Sequence, residues 1–336
     1  VGRRPGDSPF TLVTFADLTA RPKPGYFWGL QPAERLGLDC IGFIARRENW
    51  YPAASVARCA EVVRRVAKPE RIGYGYSMGG YAALKYGRLL GLTRALAISP
   101  QFSIDPADVP WDRLYRSHFQ PELHPAMRVK ASELAPWAAV VADPWHPDDG
   151  AHLRCLERLE GVFPVVAPFL GHSAFWLFAG TAALDQALRR VLDADAAGLR
   201  RLLRAWRGGS AVWCHIVGGA ALCSGRGALA ERLWERAAAL GVQPAVLRKG
   251  RAEALLARAT RLRGAGRRSE ATAAARLAAA ALPDDPKVLI QAGQFLLLLG
   301  DAAGAEPLFI DALALTGERN ATAHIDRKST RLNSSH

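Results

Sequence analysis

Gly73-Tyr74-Gly75-Tyr76-Ser77-Met78-Gly79-Gly80 is the stretch on which the reading of this chain turns. At its centre, Gly75-Tyr76-Ser77-Met78-Gly79 spells G-x-S-x-G. The preceding Arg71-Ile72-Gly73-Tyr74 suits a short buried strand. The following Gly80-Tyr81-Ala82-Ala83-Leu84-Lys85-Tyr86-Gly87 is alanine-rich with helical spacing. A serine on a sharp strand-to-helix turn is a nucleophile elbow. The turn is strained and the helix starts close to the strand. A side chain two residues to either side of the serine would therefore collide with backbone. The helix N-terminus places a positive dipole where an anionic intermediate would form. A dinucleotide fingerprint G-x-G-x-x-G fails, because Met78 stands where its third glycine belongs.

Outward from this turn, strand and helix patterns alternate. Residues 10–16 and 38–44 are β-branched, aromatic and apolar, as strands are. Residues 94–100, 137–142 and 162–168 read the same way. Between them, 31–36, 54–66 and 151–159 suit helices, and 174–192 suits a final one. The alternation predicts an α/β fold: a parallel sheet with helices on both faces over residues 1–192. Residues 101–135, rich in proline and aromatics, break the rhythm. They read as a cap-like excursion over the C-terminal edge of the sheet, where ligands bind in such folds.

From 193 to 325 the composition turns to Ala, Leu and Arg with helical spacing, predicting an all-α C-terminal domain. Two units repeat at one offset: Leu255 with Leu289, Ala259 with Gly293, Leu262 with Leu296, Gly266 with Gly300, Ala271 with Ala305, Ala278 with Ala312. Small residues let paired helices approach, and the glycine turns between them. Gly218, Gly225, Ala230, Trp234 and Ala237 keep the spacing of an earlier unit, which requires extra residues around 242–251. An ordinary helical bundle is the alternative. Residues 326–336 do not continue the repeat and read as a foreign or disordered tail.

The 336 residues allow about two domains of ordinary size. Net charge is +13, with arginines spread along the whole chain. That spread suits solvated faces, and no nucleic-acid module accompanies it, so no nucleic-acid partner is expected. Cys40, Cys59, Cys155, Cys214 and Cys223 are scattered in apolar contexts, as reduced, buried thiols would be. No apolar run reaches a membrane span and no signal peptide is visible, which predicts a cytoplasmic protein. The chain opens on Val1 rather than Met, as a fragment would.

A serine hydroxyl requires a base, and the base an orienting carboxylate. Gly171-His172-Ser173 lies between the last strand and the last helix, and makes His172 the candidate base for Ser77. The acid is expected after the strand 137–142. Asp143 is the first candidate, with Asp148 or Asp149 as alternatives. The unused carboxylates would serve a loop turn and a helix N-cap. The oxyanion hole would use the N–H of Met78 and one from Asp17 or Leu18 after the first strand. Trp50, Tyr51, Tyr76, Phe102, Trp111, Trp145, Phe175 and Trp176 fall at the same edge, and an aromatic cleft there suits an acyl chain or a sugar face. Trp50, Tyr76, Trp145 and Trp176 are the chosen substrate walls. His146, Asp148, Asp149 and His152 match no metal motif, so neither metal nor cofactor is expected.

By the elbow, the Asp loop and Gly171-His172, residues 10–192 resemble an α/β-hydrolase domain. Residues 211–316 resemble tetratricopeptide repeats. With Ser77-Met78-Gly79-Gly80-Tyr81 and Ser99-Pro100-Gln101, the whole is similar to bacterial hydrolase–repeat proteins. More distantly it is similar to serine-hydrolase-like subunits of accessory secretion systems acting on glycosylated surface proteins. The resemblance implies an esterase on a small-molecule or glycan ester, with a protein or peptide partner docked on the repeats. The alternatives are an acyltransferase onto a glycan or protein hydroxyl, and a non-catalytic repeat-based binding protein. This chain departs from the hydrolase pattern where Ala16-Asp17 stands in place of the usual His-Gly, and from the repeat pattern in that its usual Trp and Tyr are mostly replaced by Leu or Ala.

Overall fold

In the computed structural model, which describes residues 1–316, seven strands form one sheet. They are β1 (Gly2–Arg4), β2 (Thr11–Phe15), β3 (Asp39–Phe43), β4 (Arg71–Tyr76), β5 (Arg94–Ile98), β6 (Trp137–Ala142) and β7 (Val162–Val166). Their order across the sheet is β1-β3-β2-β4-β5-β6-β7. β2 to β7 run parallel, in register pairs such as Val13 with Gly73 and Gly75 with Ala97. β2, β3 and β6 are buried at every residue, as strands covered on both faces must be. Alternate residues of β4 show the two faces. Gly73 and Gly75 lie under the helix that follows the strand, while Tyr74 packs on Trp28 on the opposite side.

β1 has no counterpart in the sequence reading. It pairs antiparallel with β3 at the sheet edge. Its Gly-Arg-Arg carries no apolar alternation, which hides it from pattern reading, and charge on an edge strand discourages further pairing. Arg3 also stands 3.6 Å from buried Asp39.

Helices of this part are α1 (Leu30–Arg35), α2 (Ala53–Val66), α3 (Met78–Lys85), α4 (Gly87–Leu90), α5 (Pro147–Leu156), α6 (Thr181–Leu192) and α7 (Ala196–Arg207). Two differ from expectation in ways that matter for the site. α5 begins at Pro147 instead of 151: proline suits the first helical position, and the His146 ring caps it by accepting from Asp149 N–H at 3.2 Å. The expected helix 174–192 is two elements, a 3₁₀ turn Gly171–Phe178 and then α6, separated at Gly180.

The excursion 101–135 is tied down rather than loose. Lys85, nearly buried on α3, donates to the carbonyls of Ala126 and Arg128, both at 2.7 Å, and pairs with Glu133. Tyr81 Oη donates to Met127 O at 3.0 Å, and His124 Nε2 lies 2.8 Å from Asn49 O. A buried ammonium is tolerable only with such partners. The segment is therefore a fixed part of this unit.

Contacts divide the chain at Arg207/Gly208 instead of 192/193. α7 accounts for the difference. Its Arg200 guanidinium donates to Pro164 O of β7 at 2.7 Å, and Trp206 meets Phe178 edge-on at 5.9 Å. Helical spacing alone does not say which body a helix packs on.

The second unit consists, among the described residues, of three helix pairs. They are α8 (Ala211–Cys223) with α9 (Gly227–Ala239), α10 (Pro244–Gly264) with α11 (Arg268–Ala281), and α12 (Pro286–Leu298) with α13 (Ala302–Thr316). The aligned positions carry the packing. Ala230, Ala271 and Ala305 are fully buried, and Gly225, Gly266 and Gly300 turn between paired helices at φ 85°, 75° and 82°. A Cβ on Gly218 would overlap the Trp234 indole, and one on Gly293 the Phe309 ring. The additional residues before the second pair lengthen α10 at its N-terminal end. Residues 317–325 of the expected repeat domain, and the tail 326–336, lie outside the described residues.

Among the described residues no helix is long and apolar enough to cross a membrane. The five cysteines are all free, but only Cys40 and Cys214 are buried. Cys59, Cys155 and Cys223 are half-exposed, which corrects the expectation of buried thiols throughout.

Candidate active site

β4 ends at Tyr76, and Ser77 stands between strand and helix with φ 54° and ψ −121°. A side chain in this region of backbone space costs about 1–3 kcal/mol, and persists only where neighbours over-determine it. They do so here. Ser77 N–H donates to Ile98 O at 2.9 Å, and Tyr81 N–H to Ser77 O at 3.0 Å. A Cβ on Gly75 would enter the Gly79 backbone, and one on Gly79 the Phe15 carbonyl. The two motif glycines thus let α3 start against the ends of β4 and β2. Trp50, Tyr51 and Ser99, on loops leaving the neighbouring strands, also have positive φ of 44°, 52° and 45°.

His172 Nε2 lies 3.0 Å from Ser77 Oγ. Its Nδ1 lies 2.9 and 3.1 Å from the two carboxylate oxygens of Asp149. An ionised carboxylate only accepts, so the Nδ1 atom carries the proton and the Nε2 lone pair faces the serine. Ser77, His172 and Asp149 are therefore joined in one line of hydrogen bonds. Tyr76 Oη donates to His172 O at 2.7 Å and its ring lies 5.1 Å from the imidazole, fixing the loop from below. Burial raises the Tyr76 phenol well above its ordinary value, with the nearby Tyr115, Asp149 and Asp17 adding to the effect.

The carboxylate facing the histidine is thus neither Asp143 nor Asp148. Asp143 is buried, but its oxygens accept from Trp145 N–H at 2.9 Å and Gly171 N–H at 2.8 Å. It closes its own loop and holds the backbone next to His172. Asp148 lies half-buried in the first turn of α5 and lines a surface hollow with Trp111, Arg154 and Arg158. Asp149 is reached because α5 starts at Pro147, which turns that side chain inward, where it is only 3 % exposed. With the helix expected to begin at 151, Asp149 stands only as an alternative acid beside Asp148, and nothing in the spacing separates the two.

Two further residues at the serine were not singled out from sequence. Gln101 is fully buried. Its Oε1 accepts from Trp50 Nε1 at 3.0 Å, and its Nε2 lies 3.4 Å from Ser77 Oγ. An indole N–H can only donate, so it fixes the orientation of the amide and aims the NH₂ group at the serine. Tyr115, from the excursion, places its hydroxyl 3.3 Å from His172 Nε2. Burial pushes its phenol up to about 12, partly offset by the hydroxyl of Ser77. Only Ser99-Pro100-Gln101 hinted at the first. Nothing in the irregular pattern of 101–135 hinted at the second.

Of the four expected walls, Tyr76 alone touches the Ser–His pair. Trp50 is fully buried, with its ring 5.2 Å from Tyr115, and so supports the site from behind. Trp145 is 71 % exposed on the surface. Trp176 lines a cavity of 530 Å³ with Trp28, Tyr74 and Phe175, whose lining includes neither Ser77 nor His172. Phe175, stacked on Tyr76 at 5.2 Å, stands between that cavity and the histidine.

Met78 opens α3, so its N–H has no acceptor within the helix and lies beside Ser77. Leu18 sits in a closed Asx turn: Asp17 Oδ1 accepts from Thr19 N–H at 2.8 Å and Ala20 N–H at 3.1 Å. The turn is pinned near the elbow by Tyr51 Oη, which donates to Ala16 O at 2.8 Å. His146, Asp148, Asp149 and His152 do not converge. Among the described residues no group of three or more potential ligands is arranged to hold a metal. No known protein family matches this chain, and no curated protein does.

Proposed function

We propose that the first unit is an α/β-hydrolase-type serine hydrolase of the esterase class, acting on a carboxylic ester through an acyl-enzyme. The observation that carries this reading is the continuous line Asp149–His172–Ser77, set on a strained strand-to-helix turn. Ser77 Oγ attacks the ester carbonyl as its proton passes to His172 Nε2. The Oγ–C bond forms and the carbonyl oxygen becomes an oxyanion, facing the Met78 N–H at the positive end of α3. The C–O bond to the alcohol then breaks, and that oxygen takes the proton from His172. Water repeats the sequence in reverse on the acyl-enzyme, releasing the acid. Asp149 holds the imidazole in the required tautomer and stabilises its cationic form.

An acyltransferase on the same residues is favoured by one specific feature: Ser77 is only 1 % exposed, roofed by Tyr115 and Gln101. A roofed acyl-enzyme meets less water, and a sugar or protein hydroxyl then competes for the acyl group. For the second unit we propose tetratricopeptide-like repeats that dock a protein or peptide. The recurrent buried alanines and turn glycines of its three helix pairs support that reading.

The experiment is turnover of p-nitrophenyl esters of graded acyl length, with product analysis in the presence of added alcohols. The parent is expected to release nitrophenol, and Ser77→Ala to fall to the uncatalysed rate. Equal rates for the two proteins would remove the hydrolytic reading.

A further inference from the structure

Resting on the hydrolase reading, we propose that the Tyr115 hydroxyl is a catalytic group: a neutral hydrogen-bond donor to the oxygen that leaves the substrate, and to the oxygen that later attacks the acyl-enzyme. The argument begins from protons. His172 Nε2 has one lone pair in its ring plane, and two hydroxyls compete for it: Ser77 at 3.0 Å and Tyr115 at 3.3 Å. When Ser77 donates to Nε2, as attack requires, the Tyr115 proton must point elsewhere. At rest it can lie on Ser77 Oγ; once that oxygen bonds the carbonyl carbon, the remaining direction is the space that receives the leaving oxygen, since that oxygen must collect its proton from Nε2. Burial keeps the phenol protonated through neutral and moderately alkaline pH, so it stays a donor.

The hydroxyl is also held in place. Asp112 Oδ1 accepts from Leu114 N–H at 2.8 Å and from Tyr115 N–H at 3.2 Å, fixing the backbone of this residue. The other Asp112 oxygen faces His152 Nε2 at 3.3 Å. His152 Nδ1 accepts from Phe102 N–H at 3.1 Å, and both members of the pair are buried. Burial raises the Asp112 carboxyl, but the hydrogen bonds and charge of its partners outweigh that and leave it below its ordinary value. His152 sits one turn after Asp149 on α5. One helix thus carries the carboxylate that orients His172 and the imidazole that anchors the Tyr115 segment. The Trp50 ring packs against the tyrosine ring and limits its swing.

In the step proposed, the bond between carbonyl carbon and leaving oxygen breaks, and the leaving oxygen takes the proton from His172 Nε2–H. Tyr115 transfers no proton. It shares its O–H with that oxygen while negative charge accumulates there, and relaxes back toward Ser77 when the alcohol departs. An aryl leaving group carries its own charge and gains little from this bond. An alkyl oxide gains much more.

The test is Tyr115→Phe, which keeps the ring against Trp50 and removes the hydroxyl. Values of kcat/KM are measured for p-nitrophenyl acetate and trifluoroethyl acetate, and Ser77 labelling by a fluorophosphonate is followed in the same preparations. The expected result is a loss of about 10- to 100-fold on the alkyl ester, with less than about a threefold change on the aryl ester. Labelling of Ser77 should persist, which shows the site still folded. Equal losses on both esters, or no loss on either, would overturn the role of Tyr115 and leave the hydrolase reading standing. A parent protein that is not labelled would remove the hydrolase reading and this role together.

Discussion

At the scale of single residues, the identity of the acid is the sharpest question. Asp149→Asn keeps shape but lets an amide donate toward Nδ1, which favours the wrong imidazole tautomer. We expect kcat to fall about 10³- to 10⁴-fold, with the thermal midpoint little changed. Asp143→Asn should behave in the opposite way. It weakens charged hydrogen bonds to Trp145 and Gly171 N–H groups, each worth about 1.5–3 kcal/mol. Its main effect is a lower denaturation midpoint, with a smaller loss of kcat. Activity lost with Asp143→Asn and retained with Asp149→Asn would reverse the assignment. That Ser77 and His172 meet was legible because motif and chain order place them. Which carboxylate faces His172 was not, because three follow β6 within seven residues and only the start of α5 chooses among them.

At the scale of elements, the strand-to-helix junction is the feature most exposed to mutation. The reading that Gly75 and Gly79 permit close approach of α3 matches the geometry, since a Cβ on either meets backbone rather than a movable side chain. Gly79→Ala must push α3 away from the end of β2. A loss of about 1–3 kcal/mol is expected, read as a lower urea midpoint, together with loss of activity because Ser77 rides on the same turn. An unchanged midpoint would show that the junction has slack. Strands with a continuous apolar run, such as 137–142, were easy to read. β1 was not, because a three-residue charged edge strand takes its structure from pairing with β3 and not from its own pattern. α7 shows the same limit: its spacing marks a helix, but only the bond from Arg200 to Pro164 says where it packs.

For the molecule as a whole, alkaline pH offers a measurement that reaches the interior. Burial raises the phenols of Tyr51, Tyr74, Tyr76, Tyr81, Tyr86 and Tyr115 above their ordinary value. Each keeps its proton when folded and loses it near pH 10 when unfolded. Their stabilisation is complete below pH 10 and is lost as pH rises beyond it. Each of the most buried contributes up to about 1.4 kcal/mol per pH unit. The urea midpoint should therefore fall steeply between pH 10 and 11.5, and phenolate absorbance for these residues should appear only with unfolding. Titration of any of these six phenols near pH 10 in the folded protein would contradict the packing around them; Tyr26, 44 % exposed, is not among them.

The proposed chemistry depends on a hydroxyl at 77 activated by an imidazole from 172, nearly a hundred residues away in sequence. The most direct measurement is peptide mapping after treatment with a fluorophosphonate, on the parent and on His172→Ala. A single adduct on Ser77 in the parent, formed at least about a hundredfold more slowly in His172→Ala, is the expected result. No adduct on Ser77 in the folded parent, or equal rates in the two proteins, would contradict the account.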